Sequence, residues 1–294
     1  MSPKHLLLAT LMSVVFGLGW VVAKAVLDYF PPILLAAFRF GVAALVLIWF
    51  VKPPIGQMRH FMVISVLAIT IPYAMIYTGM KDLDASTTVL LVQLEAPLLI
   101  MLGAILLGEK PGYRKAIGTM IAFGGVVLIA GDPDFKGTAA GIFWVLGSIL
   151  TWAVGQIKIR KLGDVGGLRS LAWISAFACP QLLVISAVFE TGQLDLISHA
   201  DWSIWATVLY LGIVMTAGGV GIWYHLIGKY PMAHIGPFLL LVPVTTIIGG
   251  VLWLDEELTR MTMFGGAIVI AGVALVILDR PFRRSTSLPD LTGD

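Results

Sequence analysis

Charge is scarce in this chain of 294 residues. Lys, Arg, Asp and Glu make up only 12% of it, while 59% is hydrophobic and the mean hydropathy is +0.95. A soluble domain covers its surface with roughly 25% charged residues. This chain has too few to be solvated by water, so lipid is the expected solvent for most of its surface. A net charge of +2, with the basic residues in short clusters, does not point to nucleic acid as a partner. The single cysteine, Cys179, sits in an apolar run, which excludes an intrachain disulfide and argues against redox chemistry. There is no Asn, hence no glycosylation sequon. The chain also lacks a His-Glu-x-x-His pair, a Gly-x-Ser-x-Gly elbow and a P-loop lysine, the motifs for metalloprotease, hydrolase and nucleotide chemistry. No catalytic residue, metal ligand or cofactor is therefore expected, and any transport must run on a gradient.

What is present is a succession of apolar runs near the length of about 20 residues that a membrane-crossing helix needs. Cutting at charges, prolines and glycines yields ten: Leu6–Val26, Pro31–Val51, His60–Gly79, Ala85–Leu107, Lys115–Ala130, Gly137–Ile157, Ser170–Phe189, Trp202–His225, Pro231–Leu254 and Met261–Leu278. No small-residue cleavage site follows the first run, so it reads as a retained helix. The expected fold is all-α, a polytopic membrane protein.

Cytoplasmic loops carry the excess of Lys and Arg. With the N-terminus inside, the inner segments hold Lys4, Lys52, Arg59, Lys110, Arg114, Lys115, Lys158, Arg160, Lys161, Arg169, Lys229, Arg280, Arg283 and Arg284. The outer loops hold Lys81, Lys136 and Arg260, and two cations, Lys24 and Arg39, lie within spans. Both termini are therefore expected in the cytoplasm.

The two halves resemble one another at an offset of about 147. Setting Glu109 on Glu256 places Gly118 on Gly265, Gly125 on Gly272, Val126 on Val273, Leu128 on Leu275 and Tyr77 on Tyr224; Pro97 falls one residue from Pro243. Five spans is an odd number, so two such copies insert in opposite directions. The expected organisation is a first five-helix repeat over 1–131, a second, inverted repeat over 137–279, and a short tail over 280–294. Inverted repeats place a substrate near the midplane, where the halves meet.

Gly17 and Trp20, the Pro31-Pro32…Phe38-Arg39-Phe40 stretch, and the Glu-x₈-Gly of both repeats together resemble the drug/metabolite transporter superfamily. Within it the chain is similar to EamA-domain exporters, in particular the YddG-type bacterial amino-acid exporters. The resemblance implies ten helices, with the first four of each repeat around a central cavity and the fifth on the flank. The position matching Arg39 in the second repeat is near Ile174, so the arginine is not duplicated.

Charged groups within a membrane are costly and line cavities or pair. Glu95, halfway along its span, reads as a proton-coupling carboxylate or an anchor for a substrate's amino group; the alternative is an ion pair with Arg39 or Lys24 that only fixes packing. Helical spacing puts Ser13, Gly17, Trp20 and Lys24 on one face, and Thr70, Tyr73, Tyr77 and Met80 on another. Ser148, Trp152 and Gln156 share a third face, and His234, Phe238, Leu241 and Thr245 a fourth. These polar and aromatic stripes, with Tyr224, are the candidate cavity lining; the alternative is helix contact held by small and hydroxyl residues. His225 reads as interfacial. Pro72, Pro97, Pro180, Pro237 and Pro243 interrupt spans, as hinges or as ordinary packing features.

The expected function is export of amino acids, aromatic ones included, and related small metabolites across a bacterial inner membrane by alternating access, with proton coupling open. The expected partners are small-molecule substrates and lipid, with a monomer the simplest state and a dimer open. A multidrug pump, or a phosphorylated-metabolite exchanger clamping phosphate with Lys24 and Arg39, stays open.

Overall fold

A computed structural model describes residues 1–107, 112–132, 137–161, 166–227, 229–230 and 232–277. The Glu109 motif, Asp134, Lys136, Pro231 and the tail from 278 onward lie outside the described residues. Among those described there is no strand.

The first span is α1 (Pro3–Leu27) and the second α2 (Pro32–Leu47), which tightens into a 3₁₀ turn at Ile48–Phe50. The third runs through α3 (Met58–Ser65), a π-helical stretch at Val66–Thr70, and α4 (Ile71–Lys81). The fourth is broken into α5 (Ala85–Val92) and α6 (Glu95–Leu107). The fifth to seventh are unbroken: α7 (Tyr113–Ala130), α8 (Ala139–Lys161) and α9 (Gly167–Phe189). A short surface helix, α10 (Gln193–His199), leads to the eighth span, α11 (Trp202–Leu209), a π stretch at Tyr210–Gly219, and α12 (Val220–Ile227). The ninth is again broken, into α13 (Met232–Leu239) and α14 (Leu241–Trp253), and the tenth is α15 (Arg260–Ile277). Nine helical stretches among the described residues are long and apolar enough to cross a membrane, and Leu241–Trp253 is a shorter apolar helix. The protein is a multi-pass membrane protein.

The two halves repeat the same irregularities. Both third spans, one on each side of the offset, carry a π stretch. Both fourth spans break one residue before a helix whose third position is proline, Pro97 in α6 and Pro243 in α14. Proline is tolerated there because the first-turn N–H groups have no intrahelical acceptor. The breaks therefore fall where the chain can leave the helix at least cost.

Packing between the halves is also paired. α2 lies along α9, and α7 along α15; α8 contacts α4, α5 and α6, and α1 contacts α12 and α14. Glycines set the closest approaches. A methyl group on Gly118 would stand 2.7 Å from the Gly272 carbonyl oxygen, and one on Gly125 2.6 Å from that of Gly265. The residue numbers rise along one helix as they fall along the other, so α7 and α15 are antiparallel. Small residues that let backbones meet in this way are how helices associate without a hydrophobic driving force between them. Gly125→Leu drives a side chain into backbone, which cannot retreat as a side-chain tip would. The expected result is loss of about 3 kcal/mol or more of stability, read as a fall in thermal unfolding temperature in detergent.

Two acids fasten helix starts across the halves. The Glu190 carboxylate accepts from the N–H groups of Ile33 (2.7 Å) and Leu34 (3.0 Å) and from Ser186 Oγ (2.7 Å). The Glu256 carboxylate accepts from the N–H groups of Ala85 (2.6 Å) and Ser86 (3.1 Å) and from the Ser86 hydroxyl. Each supplies the acceptors that the start of α2 or α5 lacks, at its positive dipole end. Asp255 takes φ 51° just past α14. That left-handed turn, tolerated by Asp, brings Glu256 back toward α5.

Outward-facing side chains such as Trp49, Ile105, Met120, Val127 and Phe264 are 70% or more exposed. They form the lipid-facing surface that the composition demands.

Candidate functional site

A cavity lies among Trp20 of α1, Pro72, Tyr73 and Ile76 of α4, Glu95 of α6, and Ser148 and Trp152 of α8. The room it encloses is narrow, about 20 Å³, enough for about one water molecule. Glu95 is the first residue of α6, immediately after the Gln93–Leu94 break. The break does two things. It turns the carboxylate into the interior, and it places that negative charge at a helix N-terminus, where aligned peptide dipoles favour it. Ser148 donates its hydroxyl to the Val145 carbonyl at 2.6 Å, so the ring edges and Glu95 carry most of the cavity's polarity.

Directly behind Tyr73 lies Arg39, 4% exposed. Its Nη1 donates to Tyr77 Oη at 2.7 Å and its Nε to Thr216 Oγ1 at 2.9 Å. The guanidinium carbon stands 4.9 Å from the centre of the Tyr73 ring and 5.2 Å from that of Phe40, a cation–π arrangement. Thr216 in turn donates to the Leu211 carbonyl five residues back, at 2.7 Å. Arg39, from the first half, therefore grips the π stretch of the eighth span, in the second.

The candidate residues separate into those that meet at the cavity and those that do not. Trp20, Tyr73, Glu95 and Trp152 meet there, and the Arg39–Glu95 ion pair does not form among the described contacts. Hydroxyls and aromatic faces surround the arginine in place of the acid. Tyr77 is fully buried and serves as an acceptor for Arg39, away from the cavity wall. Lys24 reaches the carbonyls of Met80 (2.8 Å) and Lys81 (3.1 Å), so it closes the C-terminus of α4, where a cation complements the dipole.

Ser13 donates to the Phe238 carbonyl at 2.6 Å, and Gly17 lets α1 approach Thr245, with its own carbonyl accepting from Thr246 Oγ1 at 2.9 Å. That stripe, and the Phe238–Thr245 stripe opposite, are a helix contact. Thr70 donates to Gln181 Oε1 at 2.6 Å, as does Ser65 at 3.1 Å, while Gln181 Nε2 donates to the Met62 carbonyl at 3.2 Å. This knot ties the π stretch of the third span to α9. Gln156 is half-buried with no hydrogen bond to a described residue, Tyr224 lays its ring over Gly167, and His234 is exposed.

Sequence spacing did not single out Ile76 as cavity-lining, because an apolar residue in a membrane helix carries no distinguishing signal. Nor did it pair Arg39 with Thr216, 177 positions away.

Comparison with known proteins agrees with this architecture. The EamA-like transporter family profile matches residues 3–131 and again 139–278. The chain is 31% identical to a protein of Escherichia coli (strain K12) named "Probable amino-acid metabolite efflux pump", over 98% of this chain and 99% of that one. The protein of the same name from Salmonella typhimurium is also 31% identical, over 97% and 98%, and an uncharacterized transporter of Bacillus subtilis is 26% identical, over 94% and 92%. A solved crystal structure superposes with a TM-score of 0.62 at 19% identity, covering 92% of this chain and 97% of its own, and shares the fold. One profile matches the helical bundle twice and spans nearly its whole length, and relatives named as efflux pumps align from end to end: the chain belongs to the EamA-like transporter family, within the drug/metabolite transporter superfamily, and is a transporter.

Proposed function

We propose that this protein exports amino acids, aromatic ones included, and related small metabolites across a bacterial inner membrane. The observation that carries the reading is Glu95, presented by a broken helix to an aromatic-walled space in the middle of the bundle. A carboxylate can hold an ammonium group, and Trp20, Tyr73 and Trp152 offer flat faces to a side chain without demanding one shape. The efflux-pump names of the E. coli and S. typhimurium relatives favour the outward direction.

The mechanism proposed is alternating access of two inverted repeats. Its support is the pairing of corresponding helices, α2 with α9 and α7 with α15, each antiparallel. Helices related by a two-fold axis lie antiparallel when that axis is perpendicular to them, and for membrane helices such an axis lies in the membrane plane. Glu95 would couple export to the proton gradient by exchanging a proton for the substrate's ammonium group. A multidrug pump would use Glu95 alike for cationic drugs. Counterflow of labelled phenylalanine, a cationic dye and a sugar phosphate into proteoliposomes separates the readings: phenylalanine is expected to exchange, the sugar phosphate not. Dye exchange without amino-acid exchange refutes the proposal.

The cation distribution supports a topology with both termini in the cytoplasm. Reporter fusions after Arg59, after Lys161 and at the C-terminus are expected to report cytoplasm, and fusions near Asp84 and Asp195 periplasm. A periplasmic C-terminus overturns the inverted-repeat topology.

A further inference from the structure

Two opposite charges inside the bundle lack counter-charges, and one tyrosine stands between them. Arg39 is a buried guanidinium with five N–H donors. The groups that face it, the hydroxyls of Tyr77, Thr216 and Tyr73, are neutral, and no described carboxylate pairs with it. Glu95 receives no hydrogen bond from any described residue. A buried charge without a counter-charge is costly, and here a guanidinium and a carboxyl group lie close to one cavity without pairing. Tyr73 lines that cavity with Glu95 and carries the Arg39 cation over its ring. A cation over a phenol ring draws electron density from it and strengthens the hydroxyl as a donor.

We propose that the cavity is a two-ended site for zwitterions. The substrate's carboxylate accepts a hydrogen bond from Tyr73 under the field of Arg39, and its ammonium group donates to Glu95. Its side chain enters between Trp20 and Trp152 as these rings part, since the cavity as described holds about one water molecule. The proposal rests on the reading of this cavity as the substrate site, and narrows it. A cationic amine satisfies Glu95 but faces the repulsion of Arg39, and a phosphate dianion meets the reverse difficulty. An α-amino acid neutralises both ends. Arg39 is on this account a positioning and field-setting residue, and Tyr73 the group that touches substrate.

The test uses the full-length protein in proteoliposomes with counterflow of labelled L-phenylalanine. The competitors are phenethylamine, which lacks the carboxylate, and 3-phenylpropionate, which lacks the ammonium group. Each is expected to compete about tenfold or more worse than phenylalanine, since a hydrogen bond to a charged group is worth that much. Tyr73→Phe keeps the ring and its stacking on Arg39 and removes only the hydroxyl. It is expected to weaken phenylalanine about tenfold and leave phenethylamine competition where it was. Arg39 variants disturb the links to Tyr77 and Thr216 and so confuse folding with binding; Tyr73→Phe avoids this. Either half-molecule competing as well as phenylalanine, or Tyr73→Phe weakening phenethylamine equally, overturns the two-ended site and leaves the exporter reading intact. A wild-type protein that counterflows no amino acid removes the exporter reading and this inference together.

Discussion

Proteoliposomes carrying Glu95→Gln should lose proton-driven accumulation of amino acids entirely, falling to the level of protein-free vesicles, while still exchanging labelled for unlabelled substrate. Gln keeps the shape of the side chain and an oxygen that can accept from an ammonium group, but it does not titrate. Exchange needs only binding and reorientation, so it survives with weaker affinity. Accumulation needs a proton to trade places with the substrate, and among the cavity residues only Glu95 is a carboxylate. The measurement is uptake into vesicles with and without an imposed pH gradient, beside counterflow at zero gradient. Wild-type accumulation with an unchanged pH dependence would end the proton-coupling reading and leave Glu95 as an ammonium anchor alone.

The second large effect expected is on stability. Glu256→Ala removes the acceptor for two backbone N–H groups and one hydroxyl at the start of α5. Glu256 is only 8% exposed, so water does not readily take its place, and the orphaned donors bear their desolvation cost. Loss of about 3 kcal/mol is expected from the cap and charge-assisted bonds together, read as a lowered unfolding temperature in detergent. Substrate competition by phenylalanine and phenethylamine should keep its ratio, because Glu256 is not at the cavity. An unmoved unfolding temperature would show that α5 holds its start by packing alone.

Much of the fold was legible because membrane solvation is a coarse and severe constraint. Every backbone group must be satisfied within its own helix, so apolar runs such as Ser170–Phe189 translate almost directly into helices, here Gly167–Phe189. Glycines 118, 125, 265 and 272, which the offset of about 147 aligns in sequence, mark backbone contacts that nothing larger could make. The breaks of the fourth and ninth spans fall beside Pro97 and Pro243, which the sequence marks as interruptions; the π stretch at Val66–Thr70 was not legible, because its irregularity depends on partners far away, such as Gln181 for Thr70.

The site was half visible for the same reason. Face periodicity groups residues on one helix but does not say what that face meets. Trp20 and Ser13 lie on the same stripe, yet one opens on the cavity and the other closes on the ninth span. Intramembrane charge was the stronger guide to Glu95. The Lys24 side chain, near the outer end of α1, reaches the spent carbonyls of a neighbouring helix end.

The π stretch of the eighth span has a mechanical meaning. A π turn closes over five residues where an α turn closes over four, so each one holds a residue in reserve. Releasing that residue into α geometry would rotate everything beyond it by about 100° and shift it by about 1.5 Å along the axis. Thr216, whose side-chain hydroxyl donates to the Leu211 carbonyl within this stretch, is also the residue that Arg39 grips from the opposite half. Any such change of register would have to break the Arg39–Thr216 hydrogen bond that ties this span to the opposite half.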